Sequence, residues 1–170
     1  MNIVKVKGDS KPNRIAGALC QLEGPISIKA TGPEAVNQAT KAIAITTRFF
    51  AENESNTQFL CTVSTGEQRT SSKLSLSLRQ IPAQNYSPLD TDLGVSATTD
   101  VFKLAGAIAQ RLRDGDDVRI TTKGAIPVLI ALKSIAVAEK YTLSSLGFTV
   151  SLYDMTERGM LSTFVLCKIP

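Results

Sequence analysis

Val4 and Val6 alternate with Lys5 and Lys7 near the start of the chain, which predicts a strand over residues 2 to 7. A helical period follows from about Pro12, whose fixed φ suits a first helical position, to a stop at Gly24. Ile26 and Ile28 alternate with Ser27 and Lys29, so residues 26 to 30 read as a second strand. Gly32-Pro33-Glu34 opens a long helix to about Ala51, with Thr31 and Glu34 at capping-box spacing. Phe59, Cys61 and Val63, then Leu74, Leu76 and Leu78, alternate on either side of Ser64 to Thr70, the pattern of a hairpin.

The same order is written a second time. Ile15-Ala16-Gly17-Ala18-Leu19-Cys20-Gln21 aligns with Leu104-Ala105-Gly106-Ala107-Ile108-Ala109-Gln110, and Ala39 to Ile45 aligns with Ala131 to Val137. The second copy predicts strands near 93 to 97, 117 to 122, 147 to 153 and 161 to 168, and helices near 100 to 113 and 125 to 142. Each copy is therefore β-α-β-α-β-β, with unit 1 at 1–80 and unit 2 at 93–170. Residues 81–92 have no counterpart and hold Pro82 and Pro88 among polar residues, as a linker does. Extended, a segment of that length reaches up to ~40 Å, enough to set the copies side by side. Gly17 and Gly106 recur inside their helices, where glycine costs about 1 kcal/mol relative to Ala, and predict close packing of helix on sheet.

The copies differ in kind. In the long helix of copy one Asn37, Gln38, Lys41 and Arg48 interrupt the apolar stripe, whereas Ile126 to Val137 of copy two is apolar nearly all round, as in a helix buried on more than one side. Lys73, Ser75, Ser77 and Arg79 give the last strand of copy one a wet face, and Phe164 to Cys167 is apolar on both faces. Copy two is expected to pack against copy one or against another chain. Residues 1 to 88 hold ten Lys plus Arg against six acids and residues 89 to 170 nine against nine, so the net +4 of the chain lies in copy one.

Composition narrows the chemistry. With 43% hydrophobic and 20% charged residues and a mean hydropathy of +0.06, the 170 residues can bury a core. There is no histidine, which excludes Ser-His-Asp and Cys-His nucleophiles, histidine-ligated zinc and an imidazole base. Cys20, Cys61 and Cys167 are far apart without metal-site spacing and read as buried free thiols of a reducing compartment. Asp114, Asp116 and Asp117 lack an EF-hand pattern and read as a solvated turn. No Walker loop or dinucleotide fingerprint occurs, and neither a metal nor a cofactor is expected. The N-terminus has no signal or transit pattern and no apolar run approaches a membrane span, so an intracellular protein, cytoplasmic or nuclear, with no membrane partner is expected.

Val4 to Lys7, Ser10 to Leu19, Ala35 to Ile45 and Gly66 to Thr70 followed by Lys73-Leu74 resemble the stage V sporulation protein S family over about residues 3 to 79. Members of that family are usually single small domains similar to Alba, the archaeal chromatin and RNA-binding family, and Alba-like proteins commonly dimerise. The resemblance implies an α/β fold of two tandem Alba-like β-α-β-α-β-β units, each a four-stranded mixed sheet with two helices, packed as an intramolecular pseudo-dimer. It also implies nucleic-acid binding or assembly, and no catalysis. Copy two keeps the Ala-Gly-Ala core and Lys133 but has Leu129-Ile130 where copy one has Asn37-Gln38. An anionic partner would meet Lys5, Lys7, Lys11, Asn13 and Arg14 at the first strand-helix junction, with Asn37, Lys41, Arg69 and Lys73 elsewhere on copy one. Phe49 and Phe50 could stack on bases, but at least one of them fits the core at the helix end better, and Tyr86 in the linker is the most available aromatic. Two functions stand side by side. One is a non-catalytic DNA- or RNA-binding protein using phosphate contacts with little sequence preference. The other is a scaffold subunit of a larger assembly or filament, with an acidic protein or further copies of itself as partner.

Overall fold

A computed structural model describes residues 1–65, 72–84, 89–155 and 159–169. Unit 1 runs β1 (Asn2–Val6), α1 (Pro12–Gln21), β2 (Ile26–Thr31), α2 (Pro33–Glu52), β3 (Thr57–Thr65) and β4 (Lys73–Pro82). Unit 2 repeats it as β5 (Leu93–Val95), α3 (Val101–Arg113), β6 (Val118–Thr122), α4 (Ala125–Thr142), β7 (Ser145–Met155) and β8 (Gly159–Ile169). The twelve elements are those the periodicities predict, most within one or two residues at each end.

The two four-stranded sheets are halves of one. The order is β1-β2-β4-β3-β7-β8-β6-β5, with β1 parallel to β2, β5 parallel to β6 and every other pair antiparallel. The halves join where Cys61 of β3 registers with Phe148 of β7. Hydrophobic alternation places Ile26, Ile28 and Ala30 beside Leu78, Leu76 and Leu74, all buried under the helices. In unit 2, Ile120, Phe164 and Val150 do the same across β6, β8 and β7, and Phe148 and Phe164 meet edge to face at 5.8 Å.

Above this face α2 packs between α1 and α4, and α4 between α2 and α3; α2 also reaches β7 and α4 reaches β3. Each central helix therefore touches both units, which makes the chain a pseudo-dimer with a shared core. That position accounts for the composition of α4: Val128, Leu129, Ala131, Leu132, Ile135 and Ala138 are all buried because neighbours stand on two flanks and the sheet beneath. Phe50 joins the core against Phe59, and Phe49 is half-buried under the guanidinium of Arg48.

Three local expectations are corrected. No capping box forms at α2, whose N-cap is Gly32 at φ 91° with no side-chain cap; α4 starts likewise on Gly124 at φ 95°. A residue in that region has to be glycine to avoid strain, so the repeat preserves a backbone turn and no side-chain cap. Helix α1 ends at Gln21 with Leu22 as its cap, before Gly24, which takes φ 79° in the turn to β2. Gly17 and Gly106 do not mark close packing, since a Cβ built on either meets nothing within 4 Å.

The segment joining the units begins as sheet, with Ile81 and Pro82 continuing β4 opposite Gln58 and Thr57. Its described ends both lie on the face of the sheet away from the helices. Gln84 N–H donates to Oε1 of buried Gln58 at 2.6 Å, and Asp92 engages Arg119 and Thr121 of β6. Tyr86 lies outside the described residues.

Candidate nucleic-acid interface

Strand parity decides which charges of unit 1 share a surface. Residues of β1, β2 and β4 that alternate with the core positions point away from the helices, and register then fixes their neighbours. Lys5 lies beside Lys29, Lys29 beside Ser75 and Ser75 beside Ser64, one row across four strands. Thr31 and Lys73 pair in the next row, and Ser27, Ser77 and Thr62 form a row on the other side. Arg79 completes the outward set of β4 beside Leu60. Lys5, Lys29, Lys73 and Arg79 are exposed, and Nζ of Lys29 donates to Oγ of Ser75 at 2.7 Å. No Asp or Glu occupies an outward position of β1, β2, β3 or β4 among the described residues.

The cations expected at the strand-helix junction sit at one end of this face. Lys7 and Ser10 close a compact turn, in which Ser10 Oγ accepts from Lys7 N–H at 2.9 Å and Ser10 N–H donates to the Lys7 carbonyl. Gln38 of α2 clamps the turn by donating to the Ser10 carbonyl at 3.0 Å. Lys11 is the N-cap of α1 with Asn13 and Arg14 in its first turn, all exposed and with no acid in that turn. Asp9 and Glu34 stand close by, however, with Glu34 packed against Gly8. The junction is thus mixed in sign where the sheet face is not.

The other predicted residues separate. Lys41 is half-buried on α2, in the helical layer on the opposite side of the sheet from Lys29. Asn37 is corrected: it is 8% exposed and presents a phosphate with almost no surface. Arg69 lies outside the described residues. The expected set omitted Lys29 and Arg79. Their signal was the alternation itself, since a charge at the polar phase of a strand whose other phase is core has to point outward.

In unit 2 the strand equivalent to β2 has Thr121 at the position of Lys29, and its outward Arg119, at the position of Ser27, is paired with an acid. Arg119 Nε stands 3.4 Å from Asp92 Oδ1, both side chains being nearly buried, and Asp92 Oδ2 accepts from Thr121 Oγ1 at 2.7 Å and from Leu89 N–H at 3.1 Å. Leu89 and Asp92 of the connecting segment thereby lie against the outward side of β6, whereas Lys5, Lys29, Lys73 and Arg79 of unit 1 are exposed. Among the thiols, Cys61 is buried and its pKa is pushed far up by desolvation, Cys20 is half-buried with its pKa raised for the same reason, and Cys167 is exposed on β8. Cys167 therefore departs from the expectation of three buried thiols. No group of His, Cys, Asp or Glu capable of holding a metal occurs among the described residues, and no helix of theirs is long and apolar enough to cross a membrane.

The repeated β-α-β-α-β-β order, its two halves joined in one sheet, has a direct counterpart in comparison with known families. The family model for stage V sporulation protein S matches residues 2–79 and, separately, residues 91–153. The second match includes the helix in which Leu129-Ile130 replaces Asn37-Gln38, so the divergent copy is a family unit too. The chain belongs to the stage V sporulation protein S family and carries its domain twice in tandem.

Proposed function

We propose that the chain is a non-catalytic nucleic-acid-binding protein that holds phosphates on the sheet face of unit 1, with unit 2 completing the core and the connecting segment lying against its β6. The observation that carries this reading is the outward set Lys5, Lys29, Lys73 and Arg79, spread over three adjacent strands among Ser and Thr, with no acid among the described outward positions. Lys and Arg supply charge to phosphates, hydroxyls add hydrogen bonds, and neither reads base identity from a flat face. Lys7, Lys11, Asn13 and Arg14 extend the surface at one end. The absence of histidine in the sequence fits a role without acid-base catalysis.

Fluorescence anisotropy with DNA and RNA oligonucleotides at low and then moderate salt tests it. Four phosphate contacts give a slope of log K against log salt of about −3.6 on duplex DNA. No binding at tens of micromolar protein in low salt defeats the reading.

A further inference from the structure

β1 and β5 are the two edges of the eight-stranded sheet, and each is hydrogen-bonded on one side only. Edge strands are templates for pairing with another chain, and long ones are usually blunted. Here β5 has three residues and β1 has five, with Ile3 of β1 59% exposed. So few backbone bonds leave orientation and strength to the flanking charges.

Those charges are opposite at the two edges. At the C-terminal end of β1 lie exposed Lys5, Lys7, Lys11 and Arg14, outnumbering the exposed acids Asp9 and Glu34. At the N-terminal end of β5 lies a cleft of about 590 Å³ whose lining includes Asp90, Asp92, Asp116 and Asp117. The arginines of this cleft are engaged within the chain: Arg111 donates to the Thr91 carbonyl at 2.8 Å and Arg119 faces Asp92. Asp90, Asp116 and Asp117 are exposed.

The internal symmetry says how such edges meet. Units 1 and 2 join through antiparallel β3 and β7 with all helices on one face. Repeating that relation at the outer edges sets β5 of one copy antiparallel to β1 of the next, with the helices again on one face. Antiparallel pairing brings the C-terminal end of β1 to the N-terminal end of β5, which places the lysines against the aspartates. We infer that copies of this chain associate head to tail, β1 of one along β5 of the next, into an open series with a continuous sheet. The contact is heterologous and does not close on itself, so it propagates beyond the dimer. It adds the acids of the β5 edge, which the nucleic-acid reading does not use, and shares Lys5, Lys7, Lys11 and Arg14 with that reading.

The test is sedimentation velocity of the nuclease-treated full chain. Mass is expected to grow past the dimer with concentration at low salt and to fall back in about 0.5 M salt. Asp116→Lys with Asp117→Lys in one chain, and Lys7→Glu with Lys11→Glu in another, should each weaken association about tenfold or more. Mixing the two restores it, because each reversed edge then meets its complement. Circular dichroism of each double variant establishes that it is folded. Three results overturn the inference: a monomer up to about 100 μM in low salt, assembly indifferent to both reversals, or folded variants whose mixture fails to associate. Arg79→Glu leaves Asp116, Asp117, Lys7 and Lys11 in place, so a fall in its oligonucleotide affinity with association unchanged reports the nucleic-acid reading separately.

Discussion

Asp92 holds Arg119 across 3.4 Å at the point where the segment joining the units meets β6, and its side chain is 3% exposed. It also receives Thr121 Oγ1 and its own turn's Leu89 N–H, so one carboxylate fixes the segment, the entry to β5 and an otherwise buried guanidinium. Asp92→Ala removes the carboxylate from all three partners at once, including the nearly buried Arg119. Truncating one side of a buried pair costs about 3–5 kcal/mol, and urea denaturation should show a loss of that order. Replacing Asp92 and Arg119 together by apolar residues should recover much of it, because the desolvation of both charges is removed as well. A single Asp92→Ala within about 0.5 kcal/mol of the parent would show that the segment is held elsewhere.

The two helical glycines lead to the opposite expectation. Gly17 and Gly106 are helical, and a Cβ on either meets nothing within 4 Å. Gly17→Ala and Gly106→Ala should each stabilise by about 0.5–1 kcal/mol through lowered unfolded-state entropy and better helix propensity. The two lie in different units and should add. A loss of stability in either variant would mean that the helix closes on its neighbour more tightly than the open space allows.

Alternation and repetition carried most of this fold into view from sequence, because two one-sided strand patterns and a 3.6-residue helical period leave few alternatives. What they could not show was the join. β3 and β7 meet at a single registered pair, Cys61 and Phe148, and both residues are apolar, as they would be in separate sheets. Asn37 misled for a related reason: a helix with α1 on one flank and α4 on the other buries a wider arc than an amphipathic stripe suggests, and Asn37 and Thr40 fall inside it. Lys29 escaped notice as a lone charge in an apolar strand, and its place in a basic row emerges once β1 and β4 are registered on either side. Gly32 was masked by Thr31 and Glu34, whose spacing imitates a cap that the positive φ at Gly32 replaces.

Glu139 ties stability to pH. It lies in the last turns of α4, where burial pushes its carboxyl above the ordinary range, partly offset by Leu146 N–H donating to Oε1 at 3.1 Å. The folded state thus holds this proton more tightly than the unfolded chain does. Its contribution to stability is fully present below the unfolded value of about 4.3 and is lost as pH rises through the raised folded value. Glu139→Gln keeps an oxygen for Leu146 and removes a negative charge from the C-terminal end of a helix. Urea midpoints should show the variant more stable than the parent at pH 7.5, by less than about 1 kcal/mol because the carboxyl keeps contact with water. The difference should shrink toward pH 4. A gain that is equal at both pH values would assign the effect to the helix end and not to proton binding.

The basic sheet face and the helical layer make separable predictions for binding. Lys29 stands in the middle of the row from Lys5 to Ser75 and is exposed, so Lys29→Glu puts a negative charge at the centre of the proposed phosphate surface. It should weaken oligonucleotide binding about tenfold at low salt and flatten the salt slope by about one unit. Arg79→Glu, near the other end of β4, should act in the same direction. Asn37→Ala serves as the contrast: at 8% exposure in α2, it should lower the urea midpoint while leaving affinity within about twofold at temperatures where the variant is folded. Lys41→Glu, on the helical side of the sheet, should also leave affinity nearly unchanged. The reverse outcome, with Lys41→Glu abolishing binding and Lys29→Glu tolerated, would move the interface to the helices and abandon the sheet face.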